Sequence, residues 1–170
     1  AVVESVAADA VVLPAPLAFP VPAGTLVRKH DAPNLVAIGE GCRDIVLDGL
    51  TLDGGKLPDD PPIRGHATLC GVFAEAPYTY ENGVKKDRIA GVVVRRCTIR
   101  RCHGRGAAFY AVADPVVEEC QIEDTSDEAV DLANFSIRGR VTGNRIERCL
   151  VGVELNDADD CLVEGNRVVG

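Results

Sequence analysis

The acidic stretch DTSDEAVDL carries Asp124, Asp127, Glu128 and Asp131. Asp127, Glu128 and Asp131 stand at i, i+1 and i+4. Carboxylates entering a strand from a turn at that spacing can converge on a hard cation that prefers oxygen, such as Ca²⁺. One repeat upstream, RCHGRG supplies His103 and Arg105, the groups best placed to handle a proton beside those acids. A third group, in EAPYTYENGVKKDR, pairs Tyr78 and Tyr80 with Lys85 and Lys86, which together suit a rim that stacks sugars and attracts anions. Each group also has a plainer reading. Arg105 can pair with Glu128 as Arg101 pairs with Asp124, in surface ladders continued by Arg148. His103 can be a hydrogen-bonded turn residue, and the tyrosines can pack on the wall of the fold.

The elements that must position these residues come from an internal repeat. Cys97, Cys120, Asn144 and Asn166 occupy one column at spacings of 23, 24 and 22 residues, a period that announces a solenoid. Ile99, Ile122, Ile146 and Val168 follow two places later, and Val94, Val117, Val141 and Val163 precede by three. Phe109, Leu132 and Leu155 form another file, each with an apolar residue at i−2, the alternation of a strand with one buried face. Ala108, Asp131 and Glu154 lie between them and point outward. Each unit thus holds about three short strands and three turns. Leu47, Leu50 and Leu52 extend the files backward, with Val36 and Ile38 as the preceding strand. Residues 1–33 read as an irregular first coil or cap, 56–66 and 75–88 as loop insertions, and 89–170 as regular coils of one domain. Stacked coils put like residues about 4.8 Å apart. At that spacing a Cys97–Cys120 disulfide is conceivable, and a packed reduced pair fits equally well.

Composition agrees with strands and narrows the partners. The 170 residues are 46% hydrophobic but only 4% aromatic, without Met or Trp, so the core is built of small branched side chains. A net charge of −8 leaves no basic stripe to replace the counterions of nucleic acid. No run of eighteen apolar residues suggests a membrane span, and the opening AVVESVAADA lacks a basic leader. Seven cysteines without a C-x-x-C pair argue against zinc.

The units VTGNRIERC and VEGNRVVG resemble those of right-handed parallel β-helix proteins of the pectate-lyase-like superfamily. The resemblance covers about residues 34–170 and implies an all-β solenoid of about five or six coils. More narrowly, DEAVD is similar to the Asp-Asp-x-x-Asp motif by which one family of β-helix pectate lyases holds a catalytic calcium. That similarity implies Asp127, Glu128 and Asp131 as metal ligands in a lyase or epimerase acting on an acidic polysaccharide, with an extracellular or cell-surface setting. The family's later lysine is missing: Glu154 stands one coil beyond Asp131, and no lysine follows Lys86. His103 and Arg105 are then the candidates for the proton step. The alternative is a non-catalytic polysaccharide-binding or structural module of a larger cell-surface or phage protein. The final unit, ending in a strand column, is expected to self-associate end to end.

Overall fold

The computed structural model describes residues 34–60 and 69–170, together with the backbone of Ser5–Val6 and Val11–Val12. Two compact units divide the chain, 1–31 and 32–170. In the first, Ser5–Val6 pairs antiparallel with Val11–Val12. The rest of the first coil expected over 1–33, and residues 61–66 of the first expected excursion, lie outside the described residues.

Within the second unit every coil contributes one strand to each of three five-stranded sheets. The widest sheet stacks Asn34–Ile38, Cys70–Glu75, Ala107–Tyr110, Glu128–Ala133 and Val151–Asn156, all parallel. The second runs through Val46–Asp48, Val93–Arg95, Val116–Glu118, Arg140–Thr142 and Leu162–Glu164. The third runs through Thr51–Asp53, Thr98–Arg100, Gln121–Glu123, Arg145–Glu147 and Arg167–Val169. Among the described residues there is no helix, and the chain is a right-handed parallel β-helix. The files read from the repeat are the observed register, with Ile99 beside Ile122 and Ile122 beside Ile146.

The interior is built largely from branched residues. Ile99, Ile122, Ile146, Val94, Val117, Val141, Phe109 and Leu132 are all fully buried, and burial of each such side chain stabilises the coil by about 1.5–3 kcal/mol. The same files surface in the last coil, where Leu155, Val163 and Val168 are about half exposed.

The corners need left-handed backbone. One corner file holds Gly49, Arg96, Glu119, Gly143 and Gly165, all with φ between 50° and 66°. Glycine adopts that conformation without cost, and the non-glycine coils tolerate it because stacked neighbours fix the corner. The next residue in each later coil is the Cys/Asn file. Its side chains make equivalent bonds along the axis: Cys97 Sγ meets Leu47 O, Cys120 Sγ meets Val94 O, and the amides of Asn144 and Asn166 donate to Val117 O and Val141 O. A thiol and an amide therefore satisfy the same backbone carbonyl. All seven cysteines are free thiols, so the Cys97–Cys120 pair is a packed reduced one.

Candidate functional site

The outer face of the widest sheet gathers the charged residues singled out above. Arg105 stands beside Glu128 in register, and Asp131 beside Glu154. At the start of these strands the alternation slips: Gly106 and Ala129 turn inward next to Ala107 and Val130. A Cβ at Gly106 would lie 2.4 Å from the Ala129 carbonyl oxygen and 2.7 Å from Ile122 Cγ2. The slip leaves Arg105 and Glu128 on the same outer face as Asp131.

There they form a buried cluster instead of a surface ladder. Arg105 Nε lies 2.5 Å from Glu128 Oε2 and 3.0 Å from Asp131 Oδ2, while Nη2 is 3.6 Å from Asp127 Oδ2. Tyr110 donates its hydroxyl to Asp131 Oδ2 at 3.1 Å, and the guanidinium sits 6.0 Å from the Tyr110 ring centre. The Asp131 side chain is 1% exposed. Its other oxygen, Oδ1, and Arg105 Nη1 are buried without a hydrogen-bond partner, an arrangement that costs about 1–3 kcal/mol per group unless something else satisfies it. Burial pushes the Asp131 carboxyl up to about 7 against the pull of Arg105, and burial also raises Glu128. Tyr110 keeps its proton, since burial and the Asp131 charge both raise it.

Beside this cluster the second expected excursion folds into a small hairpin, Tyr78–Thr79 with Gly83–Val84. Tyr80 donates to Asn134 Oδ1 at 3.0 Å, and Arg88 Nε donates to Phe135 O at 2.8 Å, so the hairpin is tied to the turn that follows Glu128–Ala133. Asn134 and Phe135 are both left-handed, with φ of 49° and 69°. That backbone is rare for a bulky aromatic, and it presents the Phe135 ring to Tyr78 at 5.8 Å. Tyr78 also meets Tyr80 edge-on at 5.7 Å and Tyr110 at 6.5 Å. A cavity of about 630 Å³ opens here, lined among the described residues by Glu40, Glu75, Pro77, Tyr78, Thr79 and Tyr80.

The sequence-derived candidates thus separate into three places. Arg105, Asp127, Glu128 and Asp131 come together, joined by Glu154 and Tyr110, which the sequence argument left out of the site. Tyr78 and Tyr80 line the cavity, Lys86 pairs at 3.0 Å with Glu40 of the same lining, and Lys85 is exposed. His103 Nε2 lies 3.6 Å from Asp60 Oδ2, and Lys56 Nζ donates to Ser126 Oγ, whose residue bonds through its backbone N–H to Cys102 O. Arg148 forms the expected exposed ladder with Asp124 at 2.7 Å, whereas Arg101, expected to pair with Asp124, bonds instead to Asp53 at 2.8 Å on its other side.

Calcium fits this cluster only in part. One oxygen each from Glu128, Asp131 and Glu154 lies within 4.8 Å of the others, a donor set suited to a hard cation. Arg105 already supplies positive charge to Glu128, Asp131 and Asp127.

Residues 78–170 match the right handed beta helix region. The chain belongs to that family. No curated protein and no solved structure matches it. The match covers the Tyr78 hairpin, Arg105 and the whole acidic cluster.

Proposed function

We propose that this β-helix protein is carbohydrate-active, binding an acidic polysaccharide along the outer face of its widest sheet and moving a proton at Asp131 in a lyase- or epimerase-type reaction. The observation that carries this reading is the state of Asp131, a buried carboxyl raised to about 7 with one oxygen held by Arg105 and Tyr110 and the other without a partner. A base poised near neutral pH is suited to general acid–base work.

Proton removal from the carbon beside a uronate carboxylate needs that carboxylate neutralised, and Arg105 Nη1 is a donor available for it. Asp131 takes the C5 proton, the electron pair becomes the C4–C5 double bond, and the C4–O bond breaks. The departing oxygen leaves with the proton that Asp131 had taken. Return of a proton to the opposite face of C5 gives epimerisation instead. Calcium belongs to this reading as a rival of the guanidinium for the same carboxylates.

A second reading has its own support. The cluster is almost wholly closed from solvent, as a buried ion network that fixes strand register would be; the chain is then a non-catalytic polysaccharide-binding or structural module, in the extracellular or cell-surface setting expected above. The test is turnover of a panel of polyuronates, followed as unsaturated product and as inverted uronate. Product formation by the wild type that disappears in Asp131→Asn supports the first reading. A folded wild type that leaves every member of the panel unchanged supports the second.

A further inference from the structure

Glu75 stands next to Tyr110 on the outer face, one coil before it, while Asp131 lies one coil after it beside Ala108. Two strand spacings, about 10 Å, therefore separate the rows of Glu75 and Asp131, a span that a disaccharide bridges. Glu75 makes no ion pair among the described residues, and its carboxyl lines the cavity with Glu40 and the rings of Tyr78 and Tyr80. Those rings stand at 83° to each other, 5.7 Å apart, forming two walls of a corner. Lys86 is paired with Glu40 of this lining. A carboxylate without an ion pair in a lining that includes two tyrosines is the chemistry that recognises an organic cation. A uniformly anionic polymer gains nothing from this corner.

We propose that the cavity takes the protonated amine of an amino sugar, so that the polysaccharide bound is one that carries free amines as well as uronates. This rests on the carbohydrate reading above and narrows its substrate class. The amine sits between Glu75 and the tyrosine faces while the neighbouring uronate lies toward Arg105 and Asp131. The sequence argument saw the tyrosines and took the adjacent lysines for an anion-binding rim. The opposite preference follows from the lining itself, which holds Glu75 and no lysine, while Lys86 is paired with Glu40.

The test is titration calorimetry with an alternating glucuronate–glucosamine oligomer and with the same oligomer N-acetylated, which keeps every ring and removes the positive charges. The free-amine oligomer is expected to bind about tenfold more tightly, and Glu75→Gln to bring the two affinities together. Glu75 is exposed, so this variant keeps the fold, which circular dichroism checks. Tyr80→Ala is expected to weaken the free-amine oligomer and to shrink its advantage. Equal wild-type affinities, or a preference that survives Glu75→Gln, overturn the inference and leave the carbohydrate reading standing. Failure of both oligomers and of the polyuronate panel removes that reading, and this one with it. A lysine-rich peptide that binds where the amine oligomer does not overturns the inference in favour of a protein ligand.

Discussion

Asp131→Asn removes the charge from the most buried carboxylate of the cluster while keeping its shape and an oxygen for the Tyr110 hydroxyl. The native carboxyl is raised from 3.8 to about 7, which corresponds to about 4 kcal/mol of preference for its neutral form. The sign follows from proton binding. Between pH 3.8 and 7 the folded chain holds a proton that the unfolded chain has lost, so this group makes the wild type progressively less stable as pH rises through that window. Below it the penalty is absent; above it the penalty is complete. The variant carries no such group. It is therefore expected to match the wild type near pH 4 and to exceed it by about 2–4 kcal/mol at pH 8, the lower figure allowing for the lost contact with Arg105. Urea denaturation at pH 4, 5, 6, 7 and 8 measures the difference, with an unchanged m-value as the check that both chains expose the same surface. Glu128 is raised as well, so Glu128→Gln is expected to shift in the same direction. A difference that is the same at pH 4 and pH 8, or a variant less stable at pH 8, would refute the reasoning. If the proton-transfer reading holds, Asp131→Asn gains stability and loses turnover together, as expected where strain is kept for chemistry.

Further outcomes follow from the same geometry. Ile122→Ala, at a fully buried position between two stacked isoleucines, is expected to cost about 2–5 kcal/mol in urea denaturation. Asn144→Ala leaves Cys120 N–H and Val117 C=O without their side-chain partner and is expected to cost about 1–3 kcal/mol for each group so orphaned; Asn144→Cys should recover part of the Val117 bond, as Cys120 makes it one coil earlier. Arg105→Gln removes the resident cation, so calcium should raise the variant's melting temperature more than the wild type's, and an equal response would show that guanidinium and metal do not compete. Of the seven thiols only the partly buried Cys42, Cys149 and Cys161 are expected to react in the native chain. Burial pushes Cys70 up to about 11 and Cys102 up to about 12, and mass spectrometry after alkylation with and without urea counts the difference.

The register was open to sequence reasoning because a solenoid repeats its own constraints. Each coil must refill the same interior position, so Ile99, Ile122 and Ile146 declare their adjacency, and Arg105 falls beside Glu128 and Glu154 beside Asp131 by counting alone. What counting cannot give is how deeply an outward residue is covered. Arg101 and Arg105 read alike in RRCHGRG, yet Arg101 is exposed and Arg105 is buried among three carboxylates, because only the latter lies on the face where Tyr110 and Phe73 also pack. Asp60 met His103 through a segment of irregular length, where the period gives no register. The Tyr78 hairpin was recognisable as an excursion, but its docking depends on Asn134 and Phe135, more than fifty residues away, whose left-handed backbone no local pattern announces.

The parallel register also has a mechanical meaning. Each coil of the second unit bonds only to the coil before and the coil after it, so that unit behaves as a stack of similar rungs, and its strength is local. Copying one whole rung between Thr142 and Gly143 would lengthen the prism while every old neighbour but one kept its partner. Pulling on the two ends would be expected to peel rungs off one at a time, each step releasing a nearly constant length of chain.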